Sequence, residues 1–532
     1  FFGFFPVRTP STMEMRGLST FISDIRKAAN SKESEQERID KELGKIRAKF
    51  KDGAKLNGYD RKKYVCKLLY MFMLGYEIDF GHMEAVNLLG SDKYSEKHIG
   101  YLACSLLLNE NHELLTLITH SIKSDLVSHK EQFQCLALTA VANVAGKEFA
   151  ESMAMDVQKT VLHRQTSAIV RKKAALCLLR LYRKYPEVIT PEAIVEPLLE
   201  LLGGVDYGVV TCVASLILGF IAKESVAFCA CVGKCIRVLS KIVLSKDYTN
   251  DYVYYGVAAP WLQIKLFRIL QHYSIPTDGA LKNQITSVLN KIITASERIR
   301  SMDKSRAPSR NNAVNSVLIE AISLCIHYDC DRDLMSMSAN ILGRFITVDK
   351  DTNLRYLGLA TMARLAFCEE GDAVDALLRH QQTIVLSLKD SDISIRRRAL
   401  DLLYTMCDRE NAGAIVGELL EYLPTADFNI REDLVLKIAI LSEKFAMDYS
   451  WYVDVILSII CQAGDFVSDD VYHRVIQIVT NHEDVQKHAA MLVYKAVHYA
   501  SAHEVVVKVA GYILGEVGYC IWGYSEAGPF QQ

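Results

Sequence analysis

A repeated pair of apolar helices is the feature that most restricts how this chain can fold. Four segments place a small or apolar residue just after a bend, with spacings of 34, 37 and 39 residues: Ala103, Ala137, Ala174 and Val213. Later copies begin at Thr352, Ser391 and Asp427. A loose period of about 35–41 residues with two helices per unit is typical of HEAT and armadillo solenoids. One unit cannot bury its apolar face alone, so its neighbours must stack on it. The sequence therefore predicts an all-α fold, a right-handed alpha-alpha superhelix.

The composition suits one long helical array. The 532 residues include only 10 prolines, and no Gly/Ser-rich linker divides them. The net charge of -2 argues against a general nucleic-acid binder, so any anion site must be local. The longest uncharged run, residues 207–222, is too short and too polar for a membrane span and predicts a buried helix.

Neither catalysis nor metal binding is indicated. The chain has no phosphate-binding loop, nucleophile elbow or zinc-protease motif. Of its 14 cysteines, only Cys229, Cys231 and Cys235 cluster, and they lack a second pair at zinc-site spacing. Scattered single cysteines without a secretory signal favour a reduced, cytosolic setting. We therefore expect no enzyme activity, no cofactor and no bound metal.

A basic helix near the N-terminus is the strongest candidate for a binding site. It is predicted to begin at an Asp60 N-cap and to bury one stripe of residues: Val65, Leu68, Leu69, Phe72 and Tyr76. Its first turn carries Arg61, Lys62 and Lys63, and Lys67 follows one turn later. Because a helix N-terminus already carries about half a positive charge, these cations are locally unfavourable unless an anion binds them.

The surrounding segment strengthens this candidate. From Lys41 to Lys67, ten basic residues face three acidic ones, an excess of +7 within 27 residues. Two interpretations remain open at this point. The cluster either binds an anion or forms a solvated basic corner of an ordinary helix.

Two segments interrupt the repeat. The tyrosine-rich segment at residues 247–260 is predicted to be buried against the next repeat, although aromatic loops can also bind partners. The polar, basic segment at residues 298–312 is predicted to be a solvated loop. The Asp-x-x-x-Arg motifs at Asp392 and Asp427 are interpreted as ties between adjacent repeats rather than as reactive groups.

Several long segments resemble the adaptins, the large subunits of clathrin adaptor complexes: MRGLSTFISDIR, IDKELGKIRAKF, GYDRKKYVCKLLYMFMLGYEIDFGHMEAVNLL, VRKKAALCLLRLYRKYP, VYYGVAAPWLQIK and SWYVDVIL. The likeness extends from Met15 to about Glu516, and the run Asp79–Glu84 favours the alpha type of the plasma membrane over the gamma type of internal membranes. The resemblance implies a helical trunk without enzymatic activity.

The resemblance also implies particular site residues. Phosphatidylinositol 4,5-bisphosphate would bind at the positions that match the family's lipid site: Arg16, Lys49, Arg61, Lys62, Lys63, Tyr64 and Lys67. Arg61 stands where the family usually has lysine, and arginine remains a good phosphate donor. Arg26 matches an arginine that helps receive acidic dileucine sorting signals; the alternative is a plain surface arginine.

The implied partners are a second large chain, a medium chain, a small chain, a phosphoinositide membrane and transmembrane cargo, with no nucleic acid. The implied location is cytoplasmic and peripheral on the plasma membrane at clathrin-coated pits. We expect residues 1–15 to be a leader outside the fold, residues 16–520 to form the trunk, and residues 521–532 to be a divergent tail. Full-length relatives continue into a hinge and an appendage, so clathrin recruitment by this chain is in doubt.

Other functions remain open from the sequence. A solenoid scaffold or protein-cargo receptor would share the repeat but would not need a lipid site at its N-terminus. A large subunit of another, internal-membrane adaptor or coat complex is a further alternative.

Overall fold

A computed structural model describes residues 15–28, 31–51, 56–110, 112–300, 308–348, 351–367, 377–498 and 503–521 of the chain. Residues 1–14 and 522–532, most of the predicted leader and tail, lie outside the described residues, and the predicted domain limits stay a prediction.

The described chain is built almost wholly from α-helices, as the apolar periodicity predicts. In chain order they are α1 (Arg16–Ala28), α2 (Lys32–Lys51), α3 (Gly58–Met73), α4 (His82–Leu89), α5 (Tyr94–Leu107), α6 (Leu115–Leu126), α7 (Glu131–Val144), α8 (Lys147–Leu162), α9 (Ala168–Lys184), α10 (Val195–Leu202), α11 (Tyr207–Ile221), α12 (Cys231–Ser240), α13 (Pro260–Leu270), α14 (Gly279–Arg300), α15 (Pro308–His327), α16 (Arg332–Ile346), α17 (Thr352–Leu365), α18 (Gln381–Ser387), α19 (Ile393–Met406), α20 (Ala412–Tyr422), α21 (Phe428–Phe445), α22 (Tyr449–Ala463), α23 (Asp469–Asn481), α24 (Glu483–His498) and α25 (Glu504–Val517). A short antiparallel hairpin joins β1 (Val253–Tyr254) to β2 (Val257–Ala258), with Val253 opposite Ala258 and Tyr254 opposite Val257.

Short helical turns supplement these elements. The 3₁₀ turns are Pro186–Val188, Pro191–Ile194, Val226–Phe228, Asn250–Tyr252, Leu423–Thr425, Gly464–Phe466 and Gly518–Ile521, and a π turn spans Lys241–Ser245. Among the described residues, no helix combines the length and apolarity that a bilayer crossing needs.

The chain divides into two compact units, Phe1–Val288 with Pro308–Ala313 and Leu289–Ala307 with Val314–Gln532. In the first unit, α9 packs between α7 and α11, and α11 packs in turn on α13. In the second, α17 packs on α16 and α19, and α24 packs on α22 and α25. Helices of successive repeats therefore stack side by side within each unit, as the solenoid prediction requires.

The repeat residues form the buried core, as predicted. Ala103, Ala137, Ala174 and Val213 have no exposed surface, because each lies where two neighbouring helices touch. Small side chains at these positions let the helices approach closely.

Arginine–carboxylate pairs connect successive repeats, which confirms the interpretation of the Asp-x-x-x-Arg motifs for Arg396 and Asp427, whereas Asp392 caps its own helix. Arg355 in α17 pairs with Asp390 at 2.5 Å, just before α19. Arg396 in α19 donates to the carbonyl oxygen of Asp390 and pairs with Asp427, the N-cap of α21. Arg431 differs, because it donates to the carbonyl oxygens of Ala426 and Pro424 just before its own helix.

The two predicted interruptions turn out differently. Tyr252 packs against Tyr207, with ring centroids 6.1 Å apart, as burial of the tyrosine-rich segment predicts. Tyr254 and Tyr255 of the same segment are exposed, so that prediction is wrong for the hairpin. The predicted loop at residues 298–312 is also shorter than expected, because α14 runs to Arg300 and α15 begins at Pro308; residues 301–307 lie outside the described residues.

Candidate phosphoinositide-binding site

The basic helix α3 begins three residues earlier than predicted. Asn57 is its N-cap, and the Asn57 side-chain oxygen accepts a hydrogen bond of 2.8 Å from the amide of Asp60. The predicted N-cap, Asp60, therefore lies inside the first turn, where its carboxylate accepts from Lys63 Nζ at 2.6 Å. Asparagine in an extended backbone conformation caps as well as aspartate, so the earlier residue takes the role.

The predicted apolar stripe is only partly buried. Val65, Leu68 and Leu69 are in the core, whereas Phe72 is 38% exposed and Tyr76 lies beyond the end of α3. The prediction is wrong for Phe72 because the buried face of α3 turns toward Cys66 and Met71 instead.

Arg61 has a counter-ion that comes from the next helix. Its Nε lies 2.5 Å from Glu84 Oε2, and both side chains are largely buried. Glu84 reaches this position because Gly81, the N-cap of α4, has φ of 88°. A Cβ at Gly81 would lie 2.5 Å from Leu68 Cδ1, so both the backbone angle and the space require glycine.

Lys67 faces the core rather than solvent. It is 7% exposed, and its ammonium lies 2.5 Å from Glu42 of α2. Glu42 also accepts from Arg38 at 2.9 Å, and Arg38 pairs with Asp24 of α1 at 3.1 Å. This network, which we call the buried charge network (Asp24, Arg38, Glu42 and Lys67), joins the first three helices.

The ionisation of Glu42 follows from this network. Burial opposes the charged form of the carboxylate, but hydrogen bonds and charge from Lys67 and Arg38 outweigh burial. The pKa of Glu42 is therefore lowered from its ordinary value of 4.5. An ion pair held this way fixes the orientation of α3 against α2.

Lys62 is the least neutralised cation of α3. Its ammonium lies 3.5 Å from Ser95 Oγ and 5.9 Å from the ring centroid of Tyr59. Within the described residues it has no carboxylate at ion-pair distance, whereas Arg61, Lys63 and Lys67 each have one. Lys62 is therefore the cation of this helix with most capacity for an external anion.

The remaining predicted residues lie beside this turn of α3. A Cβ at Gly17 would lie 3.4 Å from the Lys63 side chain, which puts the start of α1 against the basic helix. Arg16 is the first residue of α1, and its side chain lies outside the described residues. Tyr64 stacks edge-on against Phe50 with centroids 6.1 Å apart, under the Lys63 ammonium at 4.7 Å.

The end of α2 supplies further cations. Lys49 and Lys51 are exposed in its last turn, and neither has an ion-pair partner in the part of the chain that the structure describes. Next to them lies a groove of about 380 Å³. Its lining is Arg47, Phe50, Lys51, Phe80, Gly81, Met83 and Glu84. Sequence reasoning missed Arg47 and Lys51 as site neighbours, although both lie within the basic window that it had identified.

Arg26 lies apart from the basic turn of α3. It is exposed in the last turn of α1, whereas the first turn of α1 contacts Lys63. Ten residues of helix separate the two ends, roughly 15 Å along the axis. The structure therefore brings Lys63 and Tyr64 of α3 against the start of α1 and the last turn of α2, and it leaves Arg26 outside this corner.

The cysteine cluster forms no metal centre within the described residues, since no group of three or more metal-ligating side chains occurs there. Cys231 and Cys235 are buried one turn apart on α12, and Cys229 is exposed.

Residues 35–523 match the family described as the adaptin N terminal region. The chain belongs to the adaptin family. This adaptin chain is 49% identical over 518 residues to the AP-2 complex subunit alpha-2 of Dictyostelium discoideum, covering 97% of this chain and 52% of that protein. It is 48% identical over 507 residues to the AP-2 complex subunit alpha-1 of Arabidopsis thaliana, covering 95% of this chain and 49% of the relative. The chain thus spans about half the length of these curated relatives.

The sequence identity is higher to these alpha subunits than to a gamma subunit, as the sequence predicts. The AP-1 complex subunit gamma-1 of Arabidopsis thaliana is only 33% identical over 505 residues, covering 94% of this adaptin chain and 55% of that subunit. Among solved structures, a homology model of the full-length AP-3 complex in an intermediate open conformation aligns with a TM-score of 0.51 and 20% identity. The alignment covers 87% of this chain and 79% of the matched one, which supports the helical fold.

Proposed function

We propose that this adaptin chain is the trunk of the alpha large subunit of a plasma-membrane clathrin adaptor, which it helps to hold on a phosphoinositide membrane during endocytosis. The observation that carries the proposal is the cationic corner where α1, α2 and α3 meet, with Lys62 lacking a carboxylate partner among the residues that the structure describes. The ligand is the headgroup of phosphatidylinositol 4,5-bisphosphate. In this proposal the chain is a binding scaffold in the cytoplasm, not an enzyme.

Electrostatics decide how the headgroup would bind. Each cation near an anionic surface contributes about 1 kcal/mol, so the five predicted cations other than Lys67 would give weak, reversible attachment that salt reduces. The ammonium groups of Lys62 and Lys49 can donate hydrogen bonds to the headgroup directly. Arg61 and Lys63 would divide their N–H groups between the headgroup and their carboxylate partners, Glu84 and Asp60. Lys67 is saturated by Glu42, so we assign it a positioning role beneath the headgroup.

The partners follow from the kinship with AP-2 alpha subunits. We propose a second large chain, a medium chain and a small chain as companions, with coated pits of the plasma membrane as the location. Further contacts from those chains and from cargo would turn weak single contacts into stable attachment.

Flotation of the purified chain with liposomes tests the lipid site. Vesicles with and without phosphatidylinositol 4,5-bisphosphate are compared at low and high salt, using the wild type and the Lys62→Glu/Lys63→Glu variant. We expect lipid-dependent flotation that salt weakens and that the variant loses, while circular dichroism stays unchanged. The control is Lys159→Glu/Lys508→Glu, which reverses two exposed lysines on α8 and α25. Unchanged lipid capture by the folded variant would disprove the proposed site and favour a protein-only scaffold.

Arg26 carries a second, separate proposal: it helps to bind the acidic residue of dileucine sorting signals. Its support is its exposure, together with the absence of an ion-pair partner among the described residues. In the assembled complex, Arg26→Glu should weaken capture of an acidic dileucine peptide and leave liposome flotation intact. Equal capture by the variant would show that Arg26 is an ordinary surface residue with no role in binding the sorting signal.

A further inference from the structure

The hairpin between α12 and α13 presents three aromatic rings to solvent. Tyr254, Tyr255 and Trp261 are 36%, 54% and 56% exposed, and we call them the ring cluster. The centroid of Tyr254 lies 4.7 Å from that of Tyr255 and 4.8 Å from that of Trp261. Such contiguous apolar surface marks an interaction site more often than isolated exposed residues do.

The turn of the hairpin holds the rings in place. Tyr255 and Gly256 have φ angles of 46° and 81°, the left-handed pair that a tight two-residue hairpin requires. Pro260 then starts α13, and Gln263 donates 2.7 Å back to the carbonyl oxygen of Ala258. The ring cluster is therefore presented on a fixed backbone, which reduces the entropy cost of binding.

Two cations, Lys265 and Arg310, border the ring cluster. Lys265 lies one turn after Trp261 on the same face of α13. Arg310 contacts the hairpin turn, since a Cβ at Gly256 would lie 3.6 Å from its guanidinium, and its Nε is buried without a hydrogen bond. In the portion of the chain described by the structure, no carboxylate lies at ion-pair distance from Lys265 or Arg310.

Two further cations, Arg268 and Arg183 of α9, act on Lys265. Its burial lowers the pKa of Lys265, and the charges of Arg268 and Arg183 lower it further. Lys172, also on α9, is different, because it pairs with Asp206 at 3.2 Å and contacts the hydroxyl of Tyr252. Within the described residues, Lys265 and Arg310 are therefore the cations beside the ring cluster that have no carboxylate at ion-pair distance.

We propose that the ring cluster, with Lys265 and Arg310, is a docking surface for an acidic segment of a partner protein that carries an aromatic side chain. The rings supply apolar contact area with little side-chain entropy to lose, and the cations supply charge complementarity. Lys265 is half-buried between neighbouring helices, where an extended segment can follow the surface more closely than a planar bilayer can. The docking surface shares no residue with the proposed lipid site.

Fluorescence anisotropy with a synthetic peptide tests the proposal. The probe is a fluorescein-labelled peptide in which glutamate alternates with phenylalanine, and its controls replace glutamate by glutamine or phenylalanine by serine. The full chain is titrated as wild type, as Tyr255→Ser/Trp261→Ser, as Arg310→Glu and as the matched control Tyr512→Ser/Lys159→Glu. Tyr512 is 50% exposed on α25, and the Lys159 side chain is 73% exposed on α8.

We expect saturable binding of the acidic aromatic peptide, weakened at least about tenfold by either test variant and by either peptide control. The matched control should bind as the wild type does, and circular dichroism should show that every variant is folded. Absence of binding, or equal binding of the glutamine peptide, would overturn the proposal. Flotation on phosphatidylserine vesicles that depends on the ring cluster, without peptide binding, would assign the surface to a membrane instead.

Discussion

The burial of Lys67 changes what this residue can contribute. A lysine that matches a lipid-binding position is 7% exposed and forms an ion pair with Glu42. Removing one member of a buried pair leaves the other charge unsolvated, which usually costs more than the pair itself contributes. Loss of the pair should therefore lower the free energy of unfolding, and the pH dependence of that loss should show that Glu42 is the titrating group.

Glu42→Gln should lower the local stability of α1 to α3 by about 1–3 kcal/mol at neutral pH, because Lys67 and Arg38 lose a charged acceptor. Since the pKa of Glu42 is lowered in the folded chain, the stabilisation is present above its ordinary value of 4.5 and is lost as pH falls through the folded-state pKa. The difference between variant and wild type should therefore shrink in acid. Protection of α3 amides in hydrogen exchange measures both effects.

The control for Glu42 is Glu37→Gln on the same helix. Glu37 and Lys41 form an exposed pair at 3.6 Å, with side chains 74% and 70% exposed. Exposed pairs of this kind contribute less than about 1 kcal/mol. Equal protection for Glu42→Gln and the wild type at neutral pH would show that the buried pair does not stabilise the corner.

At the scale of elements, the arginine–carboxylate ties make successive repeats interdependent. Asp390 has a side chain only 5% exposed, and Arg355 is its charged partner at 2.5 Å. Arg355→Gln should reduce amide protection in both α17 and α19 by about 1–3 kcal/mol, because it leaves the Asp390 carboxylate without its cation. Hydrogen exchange resolved by peptide would show whether the loss extends across the two repeats.

Arg474→Gln is the matched control for this tie. Arg474 and Glu443 pair at 3.2 Å with side chains 48% and 54% exposed, so the loss should stay below about 1 kcal/mol. A loss confined to α17 in Arg355→Gln would contradict the coupling of repeats.

The sequence predicts the elements better than it predicts the site. Helices such as α9 and α11 follow from an apolar period that is local and strong, so their cores are where the pattern puts them. The counter-ions of the basic helix come from tertiary contacts. Glu84 pairs with Arg61 from 23 residues away in the sequence, and no spacing rule links the two. The ion pair between Arg38 and Glu42 could have been predicted, because residues at i, i+4 spacing on a helix lie next to each other. Charge counts in a window therefore overstated how many cations are free.

At the scale of the whole molecule, the two proposed surfaces should act independently. Lys62→Glu/Lys63→Glu alters no residue of the docking surface, and effects of separate sites usually add. We expect the variant to lose flotation and to bind the acidic aromatic peptide within about twofold of the wild type. Tyr255→Ser/Trp261→Ser should lose peptide binding and float with liposomes as the wild type does.

Long-range charge is the competing explanation for any cross effect. Each Lys→Glu exchange changes the charge by two, so the double variant moves the net charge from -2 to -6, which disfavours an acidic peptide everywhere on the chain. Screening over about 8 Å at physiological salt removes such an effect, whereas contact coupling between the surfaces would persist. Peptide titrations at low and physiological salt separate the two. A loss of peptide binding that survives at physiological salt would mean that the surfaces are coupled through the helices between them, and the independence argued here would be wrong.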